Sequence, residues 1–208
     1  MLASFTHQTS TINLNNSEQI SQSFTVLDIP QSELVEVEFD SCTFTGTDFS
    51  DVTFKNCRFI DCQFEKCNLS NCKIAYCRFN NVEFNECKLV GIDWTRVSWP
   101  NIMVSAPIAF NKCIINNSSF FGLHLSELVL KECKACDVDF READLASADF
   151  SYTDLAYSLF NNNNLAEANF TDAINYNIDV ANNNINGAKF CRDEAVNLLT
   201  SLGIELVD

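Results

Sequence analysis

Residues 42–79 read CTFTGTDFSDVTFKNCRFIDCQFEKCNLSNCKIAYCRF. A large apolar residue recurs every fifth position: Phe44, Phe49, Phe54, Phe59, Phe64, Leu69, Ile74 and Phe79. Two residues before each central residue i stands a small or β-branched one: Cys42, Thr47, Val52, Cys57, Cys62, Cys67, Cys72 and Cys77. Side chains alternate along an extended chain, so i−2 and i share one side. A period of five is neither 2 nor 3.6, which excludes a continuous flat strand and a helix. The consistent geometry is a short extended step with two inward residues, a corner at i+1 and i+2, then the next step. Repeated, it coils the chain into a parallel solenoid whose coils stack about 4.8 Å apart.

Working outward, the run begins at Leu34 and Phe39 and continues through Phe84, Leu89, Trp94 and Trp99. A second run holds Phe110, Ile115, Phe120, Leu125, Leu130, Ala135, Phe140, Leu145, Phe150, Leu155, Phe160, Leu165 and Phe170, then Asn175, Val180, Ile185 and Phe190. From Trp99 to Phe110 is 11 residues, one beyond two repeats. The chain therefore divides into an N-terminal arm and cap without register (1–33), a first column (34–99), a break (100–109), a second column (110–190) and a C-terminal helix and tail (191–208). The break holds Pro100, Asn101, Ile102, Met103 and Pro107. It reads either as a local distortion filled by the two tryptophans or as a loop for partner contact.

Composition fits a coil of this kind. Among 208 residues only 5 are Gly and 3 Pro, too few for an all-β chain built on Gly-rich hairpins, while 18 are Phe. No apolar run approaches the roughly 18 residues of a membrane span. The start carries no basic region followed by an apolar one, so the expected compartment is the cytosol and no membrane contact is expected.

Nine of the 11 cysteines occupy i−2, with Cys136 and Cys191 the exceptions. The dominant C-x4-C spacing is not the C-x2-C of a zinc site, and free Cys packs as a small hydrophobe. They read as core filler, with no metal and no cofactor. His7 and His124 have no neighbouring set that forms a triad. With no Gly-rich phosphate loop and no H-E-x-x-H, an enzyme is not expected.

Ala143-Asp144-Leu145, Ala148-Asp149-Phe150 and Ala168-Asn169-Phe170 resemble the A(D/N)LXX signature of the pentapeptide-repeat family. The resemblance implies an all-β fold: a right-handed quadrilateral parallel β-helix with four pentapeptides per coil. Residues 20 apart would then stack, with Cys57 over Cys77, Cys67 over Cys87 and Cys113 over Cys133.

The net charge of −15 is unevenly placed: −8 over residues 1–54, +3 over 55–134 and −10 over 135–208. Direct nucleic-acid binding is argued against, because neutralising phosphates demands a basic face. Asp139, Asp144, Asp149 and Asp154 are consecutive i−1 residues and, at four faces per coil, form a belt around one coil, thickened by Asp137 and Glu142. The belt serves either solubility or a basic or DNA-binding partner.

At the end, Asp193 is placed to N-cap a short helix, Ala195, Val196, Leu199 and Leu202 recur at helical spacing, and Gly203 is placed to end it. Residues 204–207 then read as a short strand. The helix caps its own last coil or also joins a second subunit. Residues 193–204 resemble the C-terminal helix of the quinolone-resistance (Qnr-type), mycobacterial fluoroquinolone-resistance and microcin-immunity pentapeptide proteins. That resemblance implies a rod-like homodimer that mimics DNA and binds a type II topoisomerase, DNA gyrase or topoisomerase IV, protecting it from quinolones or a toxin. A rival reading is a generic interaction scaffold with a different partner.

Overall fold

The computed structural model describes residues 14–25, 32–100 and 105–204. The chain winds as a parallel β-solenoid whose coils repeat every 20 residues. Phe24 pairs in register with Phe44, Phe44 with Phe64, and Phe64 with Phe84. Glu18, Glu38, Arg58 and Arg78 form a second file, and Glu33, Thr53 and Lys73 a third. The fourth runs Asp48, Asn68, Lys88, Ile114, Lys134, Asp154 and Ile174. These are the four faces, called below after Leu34, Phe39, Phe44 and Phe49.

Each face contributes its i−2 and i side chains to one continuous core. The rings stack up the axis, Phe44 on Phe64 at 4.6 Å and Phe150 on Phe170 at 4.9 Å, and meet edge-on between faces. Offset-stacked and edge-to-face pairs are both favourable for aromatic quadrupoles.

The corners explain the scarcity of glycine. Among the described residues, twenty-five other than glycine lie at φ between 49° and 62°, nearly all at i+2. Left-handed backbone costs an L-residue about 1–2 kcal/mol. Hydrogen bonds to the next coil offset it: the i+2 N–H of Asp51 donates to Ser70 O at 2.9 Å and that of Asn71 to Val90 O at 2.8 Å. Where Val52 N–H also donates back to Phe49 O at 3.1 Å, the corner is a β-turn with its third residue left-handed.

Four expectations are corrected. The register does not start at Leu34, because Leu14 is buried, Gln19 is half-buried, and strands Glu18–Ile20 and Ser23–Thr25 already pair with the next coil. The polar Gln19 at a central position hides that coil from an apolar count. The break is an insertion of six residues at one corner, not one residue beyond two repeats: Phe84 pairs with Phe110 and Asp93 with Ser119, both 26 apart. Near the end Asn175 is exposed and Val180 half-buried, and Tyr176 and Ile178 enter the core instead, because Phe160 pairs with Ile178 only 18 residues on. Finally, the helix Arg192–Thr200 has Cys191 at its N-cap, which places Asp193 and Glu194 in the first turn, where carboxylates suit the helix dipole.

That helix lies over the last coil. Leu198 packs on the core, Glu194 Oε2 accepts Asn175 N–H at 3.2 Å, and Ser201 Oγ accepts Val180 N–H at 3.3 Å. Gly203, at φ 70°, follows the C-cap Ser201 by two residues. Of the segment read as a strand, residues 205–207 lie outside the described residues. Among the described residues no helix is long and apolar enough to cross a membrane.

Candidate protein-binding surface

The four belt aspartates occupy one face each, outward of Phe140, Leu145, Phe150 and Leu155. Each carboxylate does local work before it meets any partner. Oδ1 of Asp139, Asp144, Asp149 and Asp154 accepts the N–H of Arg141, Ala146, Ser151 and Ala156, at 3.2, 3.3, 3.0 and 3.2 Å. This i−1 to i+1 bond pins the entry to the corner, which is why Asp and Asn recur there. Three are bridged from the coil above: Asn164 Nδ2 donates to Asp144 at 2.8 Å, Asn169 to Asp149 at 3.0 Å and Asn175 to Asp154 at 2.8 Å.

Asp139 differs from the rest. Arg141 Nε and Nη2 clamp its two oxygens at 2.9 and 2.8 Å, and the guanidinium holds its carboxyl below the usual 3.8. Arg141 in turn lies 5.6 Å from the centroid of the partly exposed Phe121 ring. Asp139, Asp144, Asp149 and Asp154 are half-buried, whereas Asp137 and Glu142, at left-handed corners, are exposed. Tyr157, 81% exposed, stands on the same corner file as Asp137, and Leu159 and Ile174 follow Asp139 and Asp154 on their files. This apolar margin beside the acidic belt carries no periodic signal, since outward i−1 and i+2 positions are not held to apolar residues by the core.

The break is described only at its edges. Pro100 is exposed and Pro107 half-buried, with its carbonyl accepting Val82 N–H at 3.0 Å, while Asn101, Ile102 and Met103 lie outside the described residues. Trp94 is fully buried, stacked on Phe120 at 5.8 Å, and Trp99 is half-buried with its indole N–H donated to Trp94 O at 3.0 Å.

On the terminal helix Ala195 is half-buried, while Val196 and Leu199 are exposed; Leu202, expected on the helix, lies instead in the turn after the C-cap Ser201, exposed with Ile204 beside it. Nothing among the described residues covers this apolar side.

The cysteines fill the core and carry hydrogen bonds there. Behind the Phe49 face Cys67, Cys87, Cys113 and Cys133 stack, each sulfur donating to a carbonyl 23 or 29 residues back, as Cys113 does to Phe84 O at 3.2 Å. Cys87, Cys113 and Cys133 also accept the N–H of the residue below, and Thr153 Oγ1 continues the ladder at 3.1 Å. Burial pushes the Cys72 thiol up to about 12. Cys136, off the i−2 file, is buried as well, and Cys191 alone is half-exposed. Among the described residues no group of three or more His, Cys, Asp or Glu is placed to share a metal ion.

A solenoid of this form is found in QnrB1, a plasmid-mediated fluoroquinolone resistance protein. One trypsin-treated variant of QnrB1 superposes with a TM-score of 0.70 at 17% identity, covering 96% of this chain and 95% of that one. A second gives 0.59 at 17% identity, covering 93% and 99%. No curated protein sequence matches the chain. The model of the pentapeptide repeat region matches residues 32–102 and 92–170, which together span most of the coils, so the chain belongs to the pentapeptide-repeat family.

Proposed function

We propose that the protein is a non-enzymatic, DNA-mimicking binder of a type II topoisomerase, DNA gyrase or topoisomerase IV, which it shields from quinolones or a toxin. The observation that carries this reading is the acidic belt displayed on a rigid rod: carboxylates on all four faces, held by backbone and ladder bonds in fixed orientations. A surface that needs no reordering loses little entropy on binding. The likeness to QnrB1 in fold is consistent with fluoroquinolone resistance as the biological setting.

A homodimer joined through Val196, Leu199 and Leu202 completes the proposal. An exposed apolar helix face at the end of a rod is the kind of patch that pairs. Two rods of about eight coils, each about 37 Å long at strand spacing, would place both belts near the middle of a particle about 75 Å long.

The test is a supercoiling assay with purified gyrase, with and without ciprofloxacin, using the wild type and the quadruple variant D139N/D144N/D149N/D154N. Asparagine keeps the corner bond and removes the charge. Inhibition or drug protection by the wild type, lost in the variant, is the expected result. Absence of any effect of the wild type at micromolar concentration overturns the proposal. The basic stretch 55–134 favours a second reading, an interaction scaffold with a different partner, because positive charge adds nothing to a DNA mimic. Capture of a non-topoisomerase from native lysate together with a silent supercoiling assay is its signature.

A further inference from the structure

On the Phe39 face the outward residues of successive coils are Glu18, Glu38, Arg58, Arg78 and Ser98. Glu18 stands in register with Glu38, and Arg58 with Arg78, so like charges are neighbours at two of the first three steps. Only Glu38 and Arg58 join opposite charges, at 2.5 Å. Like charges directly opposite on paired strands repel. The same fold shows the more stable order on the corner that follows the Phe44 face. There Lys66, Glu86, Lys112 and Glu132 alternate in sign, with bridges of 3.9 and 3.7 Å. Segregation on the Phe39 face works against stability.

A groove of about 890 Å³ runs along this file, between it and the preceding corner. Its first end is acidic, with Glu18 and Glu36, and its other end basic, with Arg58 and Arg78. Tyr76, 68% exposed, flanks the basic end, with Ser98 beyond it. Among the described residues neither the Arg78 guanidinium nor the Tyr76 hydroxyl has a partner.

The geometry points to a docking groove for an extended peptide segment of a partner protein, one that carries a basic and an acidic side chain four residues apart. The spacing follows from the coil. Glu18 and Arg78 are three coils apart, about 14 Å, which an extended chain rising about 3.4 Å per residue covers in about four residues. Strand N–H and C=O groups here bond to the coils above and below, so the segment crosses the strands and is read by side chains: its cation by Glu18 and Glu36, its carboxylate by Arg58 and Arg78. The groove lies on the first coils and does not depend on the acidic belt.

The probe is the capped peptide GKSGSEG, titrated into 15N-labelled full-length protein at about 0.01 M ionic strength, where charges are screened only beyond about 30 Å. Amide shifts confined to the coils bearing Glu18, Glu36, Arg58, Tyr76 and Arg78 are expected, with the neutral peptide GSSGSSG silent. R78E should weaken GKSGSEG about tenfold, as loss and reversal of a facing charge does, and should strengthen GKSGSKG over its binding to the wild type. No shifts with GKSGSEG, equal shifts with the neutral peptide, shifts centred elsewhere, or unchanged affinities in R78E would each overturn the groove.

Discussion

Asn169 sits directly above Asp149, and its Nδ2 donates to Asp149 Oδ1 at 3.0 Å while the same oxygen accepts Ser151 N–H at 3.0 Å. One carboxylate oxygen thus fixes a corner and ties two coils. Asp48 repeats the arrangement near the start, with Ser50 N–H at 2.9 Å and Asn68 Nδ2 at 3.1 Å.

Replacing Asp149 separates turn from charge. Asp149→Ala removes both bonds and should cost about 1–2 kcal/mol, the usual loss for a side chain that caps backbone N–H groups. Asp149→Asn retains an acceptor and should stay within about 0.5 kcal/mol of the wild type. Urea unfolding with a common slope measures both, and equal losses would contradict the assigned role.

Among the described residues, the carboxyls of Asp48, through Ser50 N–H, and of Asp139, through Arg141, have depressed pKa values. A group whose folded pKa is lowered adds stability above its unfolded value and loses it as pH falls through the folded one. Stability should therefore decline as pH drops below about 4, the ordinary carboxyl range. Asp139→Asn should make that decline shallower. Thermal unfolding from pH 6 to 2.5 gives the slope, and an unchanged slope in the variant would remove Asp139 from the account.

Thiol labelling should be strongly biased. Cys191 is half-exposed, and the other ten cysteines are buried. Burial raises the Cys62 thiol to about 11, and the hydrogen bond with the next thiol of the ladder, followed by burial, raises the Cys87 and Cys113 thiols to about 12, so at pH 8 they hold little thiolate. One fast-reacting thiol per chain is expected in native protein and 11 in denaturant. Several fast thiols in the native state would show that the coils open.

Trp94 is fully buried, edge-on to Phe79, Phe84 and Phe110 and stacked on Phe120, which joins the coils on either side of the six-residue insertion. Trp94→Ala should cost about 3–5 kcal/mol, as large-to-small core changes do. Trp94→Phe, which keeps an aromatic ring there, should cost less than half of that. Denaturant titration followed by circular dichroism distinguishes them.

Much was legible in the residues. A five-residue period with small side chains at i−2 has one compact solution, because alternation puts i−2 and i inside and no helix or flat strand accommodates the interval. Nine cysteines followed into the core, and Ala195, Val196 and Leu199 marked a helix by their spacing, with Leu202 falling just past its end. The belt aspartates were legible as outward residues on consecutive steps. Their second duty was not, because the bond from i−1 to the i+1 N–H depends on the backbone torsions that the solenoid imposes on i−1 and i, which residue types alone do not fix.

Other features required the stacked coils themselves. The first coil is hidden by Gln19 at a central position. The insertion measures six residues only when Phe84 is seen beneath Phe110, since a period counts steps and not faces. Tyr176 and Ile178 displace Asn175 and Val180 because the last coil closes two residues early on the Leu34 face. The segregated file of Glu18, Glu38, Arg58 and Arg78 is scattered over 61 residues of chain and becomes one groove wall only through the 20-residue repeat. Local chemistry determined which residues turn inward. Which outward residues become neighbours was decided by the coil length, and that is a property of how four faces close around one core.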